Sequence, residues 1–452
     1  MSKNRSRLHF WRMAAALALP IAMQNLLTSC ATLIDTAMII PLGPIAVTAV
    51  GVAGRFSFLL NVMAFGFCSG SASLISQYWG VKDHGGIRRS YGIALVSAMT
   101  LACLYASVLA VFPDACISLF GPKPEPAKLA AEYVRIFAIG VPFIMYSQVS
   151  CAALRATERV SVPLISSAAA VVTNITLNYC LIHGNLGFPR LEVRGAAIAS
   201  VCGSVVQALI VFAFLQFGKN PVRARLAEYL SFTRAFALKY AKVASPVLLN
   251  EVLWAVGTNT YVMVLARQGT EVYAGYTIYE TVQQLVFVFF IGICHASAIM
   301  VGKAAGRGEE EEAFRTAKRF MLMTPLAGVI LGGVLIALRA PVLSLLTIET
   351  ELARETAMSL LLFYGFWIGI RMISYTAICG VFRAGGDTKA GCFMDMACLF
   401  LVGVPAVCIA GLWLKLPFVA IVAIMFIAED VPKSAVCLWY FFTKKWIRRL
   451  TK

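Results

Sequence analysis

The chain has 452 residues, of which 60% are hydrophobic and 13% charged, and its mean hydropathy is +0.80. That balance excludes a soluble globular chain, because no long polar stretch is left to form a domain in water; the chain belongs in a bilayer. A net charge of +17 would suggest nucleic acid in a soluble protein, but here the basic residues fall in short loops between apolar runs. Membrane lipid, not nucleic acid, is therefore the expected surrounding.

In chain order, Lys3, Arg5, Arg7 and Arg12 precede the first long apolar run. No small-residue cleavage site closes a short hydrophobic core, so an uncleaved first helix is expected. Twelve spans are predicted, each near or above the roughly 20 apolar residues that cross a bilayer. They cover approximately 13–40, 46–78, 90–112, 129–153, 161–183, 194–217, 236–265, 272–304, 314–340, 355–382, 389–413 and 416–442. Helices are expected throughout, because lipid cannot satisfy an open strand edge. Between the third and fourth spans, Gly121-Pro122-Lys123-Pro124-Glu125-Pro126 makes a stiff turn. The basic stretch 218–242, with Lys219, Arg223, Arg225, Arg234, Lys239 and Lys242 among Leu and Phe, reads as a short amphipathic helix on the inner surface or as a solvated linker. Glu309-Glu310-Glu311-Glu312 opens the ninth span, where acids suit the helix dipole.

Orientation follows from Lys and Arg. The N-terminus, the loops near 79–89, 154–160, 218–242, 305–319 and 383–389, and the tail Lys444-Lys445-x-x-Arg448-Arg449 lie on one side. That side carries roughly three times as many basic residues as the other, which makes it cytoplasmic, puts both termini in the cytoplasm and places the protein in the cytoplasmic (inner) membrane. The thirteen cysteines include no Cys-x-x-Cys pair, and Cys30, Cys68, Cys103, Cys151 and Cys408 lie inside apolar segments. They read as small hydrophobes, and no cofactor is expected.

The second half repeats the first. Pro20-Ile21-x-x-x-Asn25 returns as Pro246-Val247-x-x-x-Glu251, an offset of 246 − 20 = 226. The segment 71–80, ending in Gly80, returns as 297–306, ending in Gly306, and Leu154-Arg155-Ala156 returns as Phe382-Arg383-Ala384 two residues late. Six spans per half start both halves on the same side, so the repeats are parallel. The expected fold is an all-α polytopic membrane protein with twelve transmembrane helices in two six-helix bundles. Its lobes are 1–217 and 236–452, and 218–235 is a cytoplasmic linker.

Polar residues inside the spans carry the functional information. An Asp at the centre of a spanning helix costs about 2.5–3.5 kcal/mol on insertion scales and persists where it meets a cavity, a partner or an ion path. Asp35 is such a residue, in the outer half of the first span. Asn174 and Asn178, four apart, share one face of the fifth span, and Ser200 lies on the sixth. One carboxylate with amide and hydroxyl oxygens suits a hard cation such as Na⁺ and equally suits a proton; an Asp merely held by hydrogen bonds is the plainer alternative. Glu251 is the second acid, near the midplane, and Gln24 and Asn25 correspond to Asn250 and Glu251. Asp35 falls opposite Tyr261, so the halves are chemically unequal. Tyr276, Tyr279, Glu280 and Gln283 on the eighth span combine a carboxylate with aromatic faces, as an organic cation prefers, and Gln148 completes the candidate substrate contacts. Arg371, Asp395, Glu429, Asp430 and Lys433 are expected to pair among themselves for structural reasons.

Several segments together resemble the multidrug and toxic compound extrusion (MATE) transporters of prokaryotic type. They are Leu19-Pro20-Ile21-x-x-Gln24-Asn25, Leu33-Ile34-Asp35-Thr36, Ser76-Gln77-Tyr78-Trp79-Gly80, Leu186-Gly187-Phe188-Pro189 with 195–200, Pro246-x-x-x-Asn250-Glu251 and 382–388. The resemblance implies an alternating-access antiporter that expels organic, often cationic, compounds in exchange for Na⁺ or H⁺. It also implies a cation site at Asp35, Asn174, Asn178 and Ser200, with Glu251 tied to coupling or substrate charge. Two departures stand out. Some relatives have an acid where Asn178 stands, and others have one on the tenth span where Met372 stands. A lipid-linked oligosaccharide flippase is the rival transporter, but the several interior Arg residues it would need are not seen. No enzyme motif is present, and nothing requires more than a monomer.

Overall fold

The protein is described by a computed structural model covering residues 3–121, 123–224, 226–229, 231–344, 348 and 350–451. Pro122 of the expected turn and Arg225 of the basic stretch lie outside the described residues. Long apolar runs free of helix-breaking clusters become helices, and polar loops separate them. Among the described residues there are twelve long helices: α1 Lys3–Ile39, α2 Pro44–Gly80, α3 His84–Val111, α4 Pro124–Ala156, α5 Ser161–His183, α6 Glu192–Phe217, α7 Arg234–Ala266, α8 Thr270–Arg307, α9 Glu310–Ser344, α10 Glu351–Gly385, α11 Thr388–Trp413 and α12 Phe418–Phe442. Eleven are long and apolar enough to cross a membrane by length and composition. The twelfth, α12, is a continuous helix whose apolar run is broken by Glu429, Asp430 and Lys433, and Asp430 and Lys433 are buried in the protein. The helices overrun the predicted spans by several residues, since hydrogen bonding continues past the apolar stretch. No strand is found among the described residues beyond an isolated antiparallel bridge, Gly386 to Ile447.

Large apolar side chains remain exposed along the helices, among them Leu104, Leu209, Phe366 and Trp439. In water that would be an aggregation surface; in hydrocarbon it costs nothing.

The helices pack as two compact units: Met1–Ala22 with Ser76–Val81 and Lys242–Lys452, and Met23–Ile75 with Lys82–Ala241. The first helix of each half passes from one unit to the other within a turn or so of its proline, Pro20 in α1 and Pro246 in α7. Each proline lacks the amide proton that would close its turn.

Inside the first unit, the repeated segments at the ends of α2 and α8 cross closely. A Cβ on Gly80 would strike the carbonyl of Lys303, and one on Gly306 the carbonyl of Gln77. Lys303 is the counterpart of Gln77 (303 − 77 = 226), so these are one contact seen from both sides. Ser76 meets its own counterpart, Gly302, on the local two-fold. Elsewhere in that unit α9 and α10 cross through paired Gly-x-x-x-Gly runs, Gly328 and Gly332 against Gly365 and Gly369, where a side chain would collide with backbone. The chain's end is anchored here too. Gln77 donates to the carbonyls of Ala384 (3.0 Å) and Arg448 (3.1 Å) and accepts from the amide of Leu450 (2.7 Å), and Trp446 is fully buried.

Two expectations about loops need correction. The basic stretch is not an amphipathic surface helix: its only helix outside α7 among the described residues is the single turn Leu226–Tyr229. Tyr229 folds the stretch back on itself, its hydroxyl donating to Val222 O (3.0 Å) and accepting from Ala224 N (3.2 Å) while its ring meets Tyr91 edge-on. These local bonds replace helical ones. The turn after α3 also contains a six-residue helix, Pro113–Ser118, before α4 starts at Pro124.

Candidate cation site and its counterpart in the repeat

In the second unit, three helices bring four of the five predicted cation residues together; the fifth, Glu251, lies in the first unit. Asp35 lies four residues before the end of α1, where the helix dipole is negative and adds to the pull of the carboxylate on a cation. Asn178 Nδ2 donates to Asp35 Oδ1 at 2.6 Å and is 3.4 Å from Asn174 Oδ1. Asn174 Nδ2 donates to Ser200 Oγ at 3.3 Å. The chain of contacts therefore runs Asp35, Asn178, Asn174, Ser200, as the four-residue spacing on α5 requires. Tyr133 of α4, which the sequence reading missed, bonds Ser200 and feels the charge of Asp35. Asp35 has no ion-pair partner among the described residues; it is half-buried, and its one hydrogen bond comes from an amide. Asn178 Oδ1 is buried without a donor. One charge with several neutral oxygens at hand is the donor set of a monovalent cation or a proton.

Beside this chain lies a second polar cluster of the same unit. Gln24 Nε2 donates to Ser167 Oγ (2.9 Å), Gln207 Nε2 donates to the same hydroxyl (3.0 Å), and Arg155 Nη1 donates to Gln24 Oε1 (3.1 Å). Each position has its counterpart in the first unit. Gln24 corresponds to Asn250, Arg155 to Arg383 (383 − 155 = 228), Ser167 to Asp395 (395 − 167 = 228) and Gln207 to Lys433 (433 − 207 = 226). Two of the three bonds repeat: Asn250 Nδ2 donates to Asp395 Oδ2 at 3.0 Å, and Lys433 Nζ to Asp395 Oδ1 at 2.9 Å, whereas Arg383 turns to Glu251. The geometry is shared and the charge is not. Where one half places serine and glutamine, the other places a carboxylate and an ammonium.

The charged version extends further. Glu251 pairs with Arg383 at 2.8 Å, both largely buried. Lys433 also binds Glu429 at 2.5 Å, and Tyr261, the counterpart of Asp35, donates to Glu429 Oε2 at 3.1 Å. Trp367 Nε1 donates to Asp430 Oδ2 at 2.9 Å. The pairing expected among Asp395, Glu429 and Lys433 is thus found, whereas Arg371 places its guanidinium 5.0 Å from the ring centre of Phe426. Two π-helical segments, Thr376–Phe382 and Cys398–Gly403, flank Arg383 and Asp395; such widened turns are frequent at functional sites.

The remaining candidates divide. Gln24 and Asn250 are buried within the two clusters. Asn25, Gln148, Glu280 and Gln283 are half-buried on α1, α4 and α8. Tyr276 and Tyr279 belong to the apolar core of the first unit, packed on Phe418 and Tyr364. The residues that sequence reading missed, Ser167, Gln207 and Tyr133, are ordinary in composition. Carrying the repeat offset through Asp395 and Lys433 would have exposed the first two.

Long apolar helices, a duplicated plan and buried polar clusters define a polytopic membrane protein of two repeated halves. A sequence profile described as MatE matches twice, at residues 20–180 and 246–409, one match per half, and the chain belongs to the MatE family. It is 24% identical over 431 residues to the "Probable multidrug resistance protein YoeA" of Bacillus subtilis (strain 168), covering 93% of this chain and 91% of that one. It is 22% identical over 438 residues to the "Probable multidrug resistance protein NorM" of Thermotoga maritima, covering 96% and 92%. A solved structure described as the outward-facing conformation of a multidrug resistance MATE family transporter superposes with a TM-score of 0.86 at 19% identity, covering 96% of each chain; this is a likeness of fold.

Proposed function

We propose that this protein is a cation-coupled antiporter that exports organic, cationic compounds across the cytoplasmic membrane by alternating access, with Asp35 as the coupling group. The observation that carries the reading is the arrangement Asp35–Asn178–Asn174–Ser200: a carboxylate without a counter-ion among the described residues, aligned by an amide, beside an unfilled buried oxygen. A group so placed takes up a small cation or proton and releases it when its surroundings change. Membership of a transporter family and the names of the relatives support export of drug-like compounds. Both termini face the cytoplasm in this reading, by the excess of Lys and Arg on that side.

Coupling requires that the bound cation and the substrate favour different states, because a ligand shifts a conformational equilibrium only by its difference in affinity for the two states. Each charge that crosses with the membrane potential contributes about 2.3 kcal/mol per 100 mV. Purified protein in liposomes with a fluorescent cationic dye tests the proposal. Dye transport should respond to an imposed Na⁺ or pH gradient in the wild type and to neither in Asp35→Asn. Wild-type rates in the variant would refute the role of Asp35, and no response of the wild type to either gradient would favour the flippase.

A further inference from the structure

The two matching clusters differ in how their arginine is neutralised. In the first unit Arg383 pairs with Glu251 at 2.8 Å, and Asp395 lies beside it with Lys433 and Asn250. The second unit keeps the arginine, as Arg155, and replaces both acids: Asn25 stands at the position of Glu251 and Ser167 at that of Asp395. Among the described residues no carboxylate lies within ion-pair distance of Arg155, whose Nη1 donates to the amide oxygen of Gln24 at 3.1 Å. The titratable groups beside it on α2 and α4 are the thiols of Cys68 and Cys151, which bring no negative charge. Along the helices of the cluster the nearest acids are Glu158, just past the end of α4 and engaged in its own interaction, and Asp35, about 16 Å beyond Gln24 on α1. A cation withdrawn from water is stabilised only by a partner of opposite charge.

The hydrogen bonds point the same way. A guanidinium carries five N–H groups and no acceptor, and Arg155 gives one of them to Gln24. Ser167 Oγ accepts from Gln24 Nε2 at 2.9 Å and from Gln207 Nε2 at 3.0 Å, so its own hydrogen is left to donate. Each amide nitrogen holds a second N–H as well. The donors left over outnumber the acceptors. Gln24 and Ser167 are 8% and 5% exposed and make a buried floor, whereas Arg155 and Gln207 are half-buried, which leaves the cluster a way in. Arg155 is the last residue but one of α4, at the end that loop charge assigns to the cytoplasm.

We propose that Arg155, Gln24, Ser167 and Gln207 form an oxyanion site that binds a carboxylate or phosphate group entering from the cytoplasmic side. The guanidinium fork takes two oxygens, and the Ser167 hydroxyl and the amide N–H groups complete the shell. The ligand supplies the negative charge that Glu251 and Asp395 supply in the other half. The site is distinct from the Asp35 chain: Ser167 lies seven residues before Asn174 on α5, and Gln207 seven after Ser200 on α6, about 10 Å along each helix. It does not depend on which ion drives transport.

Isothermal titration calorimetry on the full-length protein in phosphatidylcholine nanodiscs tests it, with phenyl phosphate and benzoate as probes and benzyl alcohol as the uncharged control. At least one of the two anions should bind saturably, and the alcohol should not. Arg155→Gln should weaken binding about ten- to a hundredfold, the worth of a hydrogen bond to a charged group. Arg155→Lys, which keeps the charge and loses the fork, should weaken it less. Asn25→Glu leaves the four donors in place and puts the acid of the other half beside Arg155, so it should weaken binding as much as Arg155→Gln. Adding phosphatidylglycerol to the nanodiscs, at high salt to screen the membrane charge, separates two sources of the oxyanion. Loss of probe binding assigns the site to a lipid headgroup, and unchanged binding assigns it to a soluble anion. The proposal is overturned if neither anion binds the wild type, or if folded Arg155→Gln or folded Asn25→Glu binds as tightly as the wild type. Calorimetry uses no ion gradient, so this site and the coupling role of Asp35 stand or fall separately.

Discussion

Replacing Lys433 by glutamine imitates the other half at one position and breaks the charge balance. In the wild type Lys433 sits 2.9 Å from Asp395 and 2.5 Å from Glu429. Without it, Asp395 and Glu429 lose the cation they share. Removing one partner of a buried ion pair costs about 3–5 kcal/mol. For a body of 150–250 residues, each kcal/mol moves Tm by about 2–4 °C, so a fall of about 6–20 °C is expected in detergent. The double variant Lys433→Gln with Asp395→Ser should behave differently. It reproduces the bond that Gln207 makes to Ser167 at 3.0 Å and removes one charge of each sign, although Glu429 still loses its cation. It should recover the part of the loss that comes from leaving Asp395 buried without Lys433. Thermal unfolding of the two single variants and the double measures the coupling. A double variant that loses as much as the two singles together would refute the view that the clusters are interchangeable versions of one design.

Asn178→Ala removes the donor to Asp35. That bond stabilises the cation-free carboxylate by about 1.5–3 kcal/mol, so a driving proton should half-saturate transport at a concentration about ten- to a hundredfold lower, measured as dye efflux against pH. Gly332→Leu should disrupt the α9–α10 crossing, since even a Cβ there meets the Gly365 carbonyl; a loss of folded protein on size-exclusion chromatography checks it, and full yield would contradict it. Trp446→Ala empties a fully buried site that stacks on Phe441. The cost should be about 3–5 kcal/mol, read as a Tm loss comparable to that of Lys433→Gln.

Much of the candidate site was legible before folding because it rests on local periodicity. Asn174 and Asn178 share a face by helical geometry, and a lone acid in an apolar run marks itself. The partner of Glu251 was not legible in the same way. Arg383 was visible as part of a repeated Arg-Ala pair, but nothing local joins it to Glu251, which lies 132 residues earlier. Tyr276 and Tyr279 illustrate the reverse error of emphasis. As a string they resemble an aromatic lining for a cation, and packing places them in the apolar core.

The residues alone determined that this is a duplicated, helical membrane protein with parallel halves, because hydropathy, loop charge and repeat spacing are properties of the chain taken in order. Tertiary structure decided which polar groups share a bond, since helices far apart in sequence meet only when packed. It showed that one four-position cluster is built twice, with Arg155 the charged member in one half and Arg383, Asp395 and Lys433 all charged in the other. The physical reason is that bilayer insertion acts on each segment separately, whereas a buried charge is stabilised only by the neighbours that folding brings to it.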